Sequence, residues 1–434
     1  MHNALPKLAL PLLLGLTAVP ATAGLYAVDP TPFTQANGFF PAWYQDTHGR
    51  ALDLCLSKAQ STRVPGAFMC NLLPAPGVFD ETQPIVFPSN FPDEAFWFTG
   101  DAAIIDANTG IDLLYVSALE AAFGGGVPAA GDQISFARIR IRATVPVAGT
   151  YTVTHPYGVD VFEVDAPGTR VINMTRDIGI GAPGDFRGAL AGDIGPFLRS
   201  VNGPYLETNP VTGNTDTFIG DPNILEEVTG SPFGTNFVRI EGPNGLIAET
   251  RLFAISGRLS TEPLPTPLVI ERATYSRGGT AASPGAVQQD YFTLAPPPPG
   301  SVTYNDGVVT GGFMLGNASG AWYGQSTSNL AANGSVTFVA DNSLVITGST
   351  PTSKTVPLAD LVTITRAEYS VGTAVLTVEA NSSDQAGQPA LNAEGLGVLT
   401  NGQLQVTGVT APPATVHVIS GNGGSDTEEV LILP

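Results

Sequence analysis

Between Ile134 and Met174 apolar and polar positions alternate with a period of two. Ile139, Ile141, Ala143 and Val145 fall on one side, and Arg138, Arg140, Arg142 and Thr144 on the other. That is the pattern of a strand with one buried face. Pro146-Val147-Ala148-Gly149 supplies a turn and Tyr151–His155 a return strand. Pro156-Tyr157-Gly158 and Ala166-Pro167-Gly168 introduce two more strands, Val159–Val164 and Thr169–Met174. Short strands between Pro/Gly turns predict a locally paired antiparallel meander.

The same reading extends outward. Phe39–Tyr44 and Phe96-Trp97-Phe98 are aromatic strands, and Ala51–Leu56 alternates Leu52, Leu54 and Leu56 with Cys55 on the opposite face. Ile111–Phe123 carries two signals. Its length, Ala-rich end and Gly124-Gly125-Gly126 stop fit a helix, whereas alternating Ile111, Leu113 and Tyr115 fit a strand. We read a strand, because it then forms a hairpin with Ile134–Val145. The Gly-rich run from Met174 to Asp221 is too long for a plain loop and should carry short elements. Asn236–Ile240 and Leu246–Leu259 close a β domain over 24–259.

Ser260–Pro267 is Pro-rich and reads as a semi-rigid extended linker. Beyond it the chain repeats: Ile270-Glu271-Arg272-Ala273-Thr274-Tyr275-Ser276 returns as Ile364-Thr365-Arg366-Ala367-Glu368-Tyr369-Ser370, 94 positions on. Hairpin signals at Asn305-Asp306-Gly307, Asn333-Gly334 and Asn401-Gly402 punctuate two modules, 268–358 and 359–434, of immunoglobulin-like size and texture. The expected fold is all-β: a large N-terminal antiparallel sandwich or jelly-roll-like domain followed by two Ig-like β-sandwich modules.

Composition agrees. Fifty glycines and 37 prolines disfavour long helices. A net charge of −20 repels nucleic acid and anionic lipid, so neither is expected as a partner. The first 23 residues have a secretory pattern: Lys7, the apolar Leu8–Val19, and an Ala21-Thr22-Ala23 cleavage site before Gly24. No later stretch reads as transmembrane. The protein is therefore expected to be exported, to the cell surface, the extracellular space or the periplasm. Cys55 and Cys70 suit an oxidising compartment, and a bridge would close a loop of about 15 residues, worth roughly 3 kcal/mol.

The repeated heads, with strands such as Val375–Glu379 and Val416–Ile419, resemble the tandem Ig-like modules of bacterial secreted and surface proteins. Phe40-Pro41-Ala42-Trp43-Tyr44-Gln45-Asp46 and Gly158–Val164 resemble a domain of uncharacterised exported bacterial proteins. This resemblance brings no activity and no functional residues.

Candidate chemistry is sparse. Gly179, Gly181 and Gly184 make a G-x-G-x-x-G, but Pro183 and the absence of a following helical pattern leave a plain loop. His48, His155 and His417 sit in no local hydrolase or metalloprotease motif. Asp93-Glu94 and Glu226-Glu227 are neighbours in sequence, whereas glycosidases need acids facing each other across a cleft. Asp106, Asn108 and Asp112 space oxygen ligands around Gly110 as a calcium loop does, without the late Glu, so calcium is the one candidate cofactor. Asp216 and Asp221 are a weaker pair of the same kind. Trp322 and Tyr323, surrounded by glycine, are candidates for stacking on sugar rings. Arg138, Arg140 and Arg142 are expected either to pair with Asp160, Glu163 or Asp165 or to hold an anionic ligand such as an acidic glycan. The chain thus reads as an exported non-enzymatic binding or structural protein with glycan or cell-surface partners. Its rival is a secreted polysaccharide hydrolase with the Ig-like modules as spacers.

Overall fold

A computed structural model describes residues 24–31, 33–73, 79–80, 82–329 and 334–434. The leader expected at 1–23 lies outside them, as does Asn333 of one predicted turn. Among the described residues the regular structure is strand, joined by turns and loops that include three short 3-10 turns.

The N-terminal part is organised by β1 (Glu94–Asp106), β2 (Ile111–Phe123) and β3 (Gln133–Val145), each of 13 residues. They pair antiparallel in sequence order. Ile111–Phe123 is thus a strand: Ile111, Leu113 and Tyr115 are buried on one face while Asp112 and Leu114 face outward. The neighbours β4 (Gly149–His155), β5 (Gly158–Val164) and β6 (Gly168–Ile178) depart from the expected single meander. β6 returns to pair with β3, but the β4–β5 hairpin joins a separate sheet with Val238–Glu241 and Ile247–Thr250. The reason is burial. Ile139 and Ile141 of β3 and Tyr151 and Val153 of β4 are all at most 1% exposed. Folding the hairpin over β3 lets two apolar faces meet, where a flat meander leaves one in water.

A six-stranded sheet closes the other flank, in the order Leu25–Val28, Trp43–Asp46, Ala51–Asp53, Arg258–Leu259, Thr215–Phe218, Tyr205–Thr208. The Gly-rich run supplies short pieces, including the 3-10 turn Arg187–Ala191. Gly179 belongs there for packing: at φ 112°, a Cβ would collide with the backbone nitrogen of Ala189. One large core joins the sheets through rings such as Tyr44 and Trp97, whose centroids are 4.8 Å apart. Cys55 and Cys70 are bonded and bury Phe218 and Met69 against them.

Two smaller cores follow, one from Leu268 to Leu358 and one from Val362 to Val418. Their leading strands, β7 (Val269–Thr280) and β10 (Val362–Ser370), carry the repeated heads. The repeat is geometric as well. β7 pairs antiparallel with β8 (Ser283–Leu294) and bulges between Ile270 and Arg272. β10 pairs with β11 (Val375–Ser382) and bulges at the matching place, between Ile364 and Arg366. Each leading strand also takes a parallel partner at matching residues, Thr274 and Tyr275 with Ala359–Asp360, Glu368 and Tyr369 with Leu431–Ile432. Each module is a two-sheet sandwich.

The Pro-rich run 260–267 is not a free linker. Thr266 donates to the carbonyl of Thr350, Thr350 donates to that of Leu264, and Thr266 is fully buried. Its backbone groups find partners on the second sandwich, so the segment packs along it instead of spanning solvent.

Candidate functional site

The outer face of the β1–β2–β3–β6 sheet carries the arginines. Register places Asp101, Val116, Arg140 and Thr175 in one row across the four strands, with Asn173 beside Arg142 and Asp177 beside Arg138. None of the expected acids reaches this row. Asp160 bonds His155 and Arg176, and Glu163 accepts from Thr150. The three arginines also differ. Arg138 donates from Nε and Nη2 to Asp177 at 2.7 and 2.8 Å, and its Nη1 lies 3.0 Å from Glu120. Arg140 instead donates Nε to Thr175 Oγ1 at 3.0 Å, and Arg142 donates Nε to Asn173 Oδ1 at 3.1 Å. Among the described residues neither has a carboxylate within 4.0 Å. Burial and the like charges of Arg138 and Arg142 lower the pKa of Arg140.

Two carboxyls on this sheet are strongly perturbed. Burial raises Asp101 to about 7 against a weaker pull from Arg140, and its Oδ1 is enclosed without a hydrogen-bond partner. Burial also raises Glu120 to about 8 against Arg138.

The other sequence candidates fall elsewhere. Asp106, Asn108 and Asp112 flank the β1–β2 turn. There the Asp106 carboxylate accepts from Asn108 N–H and Thr109 Oγ1, both at 2.9 Å, which ties it into an ordinary turn. Among the described residues no three His, Cys, Asp or Glu side chains converge as a metal-binding group. Asp216 and Asp221 are engaged by Ser57, Ser61 and Arg63.

Trp322 is a core residue, 5% exposed, with Nε1 pointing at the carbonyls of Ala295 and Pro296. Its expected exposure is corrected by strand phase: on β9 (Ala321–Ser326), Trp322 faces inward and Tyr323 outward. Tyr323 stands in a row with Leu315, Phe292 and Arg272 across four strands. The Tyr323 and Phe292 rings lie 5.1 Å apart, Arg272 caps Phe292 at 4.2 Å, and Tyr323 donates to Asp290. Sequence reading missed this row, although Gln288, Asp290, Phe292 and Leu294 alternate with Gln289, Tyr291 and Thr293 in a way that marks its outer face.

The histidines have structural partners. His155 is fully buried; Nδ1 accepts from Tyr157 N–H, which leaves Nε2 to donate to Asp160 at 3.1 Å. His417 pairs with Glu394 at the surface. His48 lines a small cavity with Tyr26, Pro267 and Ser319, and burial lowers its pKa.

No family model matches the chain. No curated protein matches it either. Among solved structures it is similar to the N-terminal Ig1-2 module of Drosophila receptor protein tyrosine phosphatase DLAR, at 15% identity and a TM-score of 0.16, covering 39% of this chain and 100% of that one. It is similar to a 1.5-MDa bacterial ice-binding adhesin at 11% identity and a TM-score of 0.16, covering 69% and 91%. It is also similar to Sidekick-1 immunoglobulin domains 1-5 at 10% identity and a TM-score of 0.14, covering 77% and 73%. At these TM-scores the fold assignment rests on strand pairing alone.

The sandwiches are joined by buried polar contacts. Arg277 of the second core donates Nε and Nη2 to the two oxygens of Asp384 in the third, at 2.9 and 2.8 Å. Tyr275 and Asn422 donate to the same carboxylate, and Gly387 N–H caps it. Toward the first core, Asn342 donates to the carbonyl of His48 and Gln45 to that of Pro265.

Proposed function

We propose that the chain is an exported, non-enzymatic binding and structural protein of the extracellular space or cell surface. It would comprise folding units 24–259, 268–360 and 361–434. The divide moves to 361 because Ala359–Asp360 pairs with β7. The observation that supports this reading most is the joint at Asp384. A buried carboxylate held by donors from both sandwiches fixes their orientation, which suits display or scaffolding. The test is a panel of glycoside, ester and peptide substrates on the mature protein, together with protease shaving of intact cells that produce the full chain. No turnover and cleavage at the surface are expected. Turnover that co-purifies and vanishes on substitution of one acid or histidine would overturn the reading.

A further inference from the structure

We propose that Arg140 and Arg142 form a binding site for a carboxylated or sulfated polysaccharide, which rests on the binding role argued above. Three features of the face converge. First, the two guanidiniums project from alternate positions of one strand, about 6.8 Å apart along it, with Arg138 clamped by Asp177 at one end. Second, each is steered by its Nε, through Thr175 and Asn173, so that among the described residues the Nη edges have no hydrogen-bond partner. A guanidinium held this way meets a carboxylate or sulfate as a fork, with little ordering still to be done. Third, Arg140 is crowded by the like charges of Arg138 and Arg142, while Asp177 and Glu120, the acids that act on it, are in contact with Arg138 instead. An incoming anion relieves that crowding.

The neighbours select among anions. Arg140 and Arg142 are flanked in register by Val116, Leu114, Thr175 and Asn173, so no ring stands beside them on which a nucleic-acid base could stack. A polysaccharide needs no such ring for its acid groups to reach the guanidiniums. Val116 and Leu114, next to the arginines on β2, give the sugar's apolar edge a surface to lie on.

The experiment measures binding of the full mature chain to polygalacturonate, dextran sulfate, neutral dextran and single-stranded DNA, by titration at low and high salt. Binding to one or both acidic polysaccharides is expected, weakening as salt rises. The carboxylate arm and the sulfate arm show which acid the fork prefers. Arg140→Ala and Arg142→Ala should each lower affinity roughly tenfold or more, the scale of a lost charge-assisted pair. Arg251→Ala removes one positive charge outside the arginine row, at the junction between Ile247–Thr250 and Leu252–Ser256, and should leave affinity unchanged. Arg140→Lys keeps the charge without the fork; it should bind more weakly than wild type and serves where the alanine variant folds poorly. Equal binding of neutral dextran or DNA, full affinity in a folded Arg140→Ala protein, or no binding to either acidic polymer would overturn the site. A hydrolase activity would overturn the wider reading without touching this result.

Discussion

Arg138 comes within 3.0 Å of Glu120, yet it directs its forked hydrogen bonds to Asp177. Glu120 Oε2 is left buried with an ion at short range and no aligned donor. Burial therefore outweighs the pull of the guanidinium, and the carboxyl rises to about 8.

This sets a pH dependence. The folded chain keeps protons on Asp101 and Glu120 up to about 7 and about 8, whereas the unfolded chain releases them near 4. Their contribution to stability is thus greatest below the ordinary carboxylate range and falls as pH rises toward 8, by up to about 1.4 kcal/mol per pH unit for each group. Asp101→Asn and Glu120→Gln should each flatten the profile in urea denaturation at pH 5 to 8. Parallel wild-type and mutant profiles would show that neither carboxyl is perturbed.

The joint at Asp384 gives an opposite slope. Burial alone would raise this carboxyl, but Arg277, Gly387 N–H and Tyr275 together hold it below its ordinary value. Its contribution is present above the usual aspartate range and is lost as pH falls through the folded value. Arg277→Ala should cost about 2–3 kcal/mol, short of the full penalty for an orphaned buried charge because three other donors remain. Small-angle scattering should then show a broader spread of orientations between the last two sandwiches. An unchanged scattering curve would mean that the backbone contacts hold the joint alone.

Removing the disulfide by Cys55→Ala/Cys70→Ala should lower the stability of the first core by roughly 3 kcal/mol. The later sandwiches, which contain no cysteine, should melt as before. Calorimetry reads both, and a joint downward shift of every transition would refute independent unfolding.

Trp322 and Tyr323 should separate cleanly. Trp322→Ala opens the second core and should cost about 3–5 kcal/mol. Tyr323→Ala, at the outer face, should cost under about 1 kcal/mol. Chemical denaturation of 260–434, which keeps the segment packed along the second sandwich, provides the comparison, and equal losses would mean that the strand phase is misassigned.

What could be read from the sequence were the features written into local alternation. The buried side of β3 followed from Ile139, Ile141 and Ala143, and the two sandwiches from the repeated heads. What could not be read was set by register. A one-residue slip exchanges the faces of a strand, so the adjacent pair Trp322 and Tyr323 gave no sign of which pointed inward. The partners of Arg138 come from β2 and β6, far apart in sequence, and only cross-strand pairing brings Glu120 and Asp177 to it. The run 260–267 looked free because Thr350, which takes up its backbone groups, lies distant along the chain.

The parallel strand that closes each sandwich also bears on mechanics. In both units it runs parallel to the leading strand at matching residues, so opposite pulls on the two ends of a unit slide the paired strands along each other. Tension carried from one unit to the next therefore loads the hydrogen bonds between them side by side instead of peeling them singly. Stretching 260–434 between its ends should give two abrupt, resisted lengthenings, one per sandwich, and a smooth extension at low force would rule out such a seam.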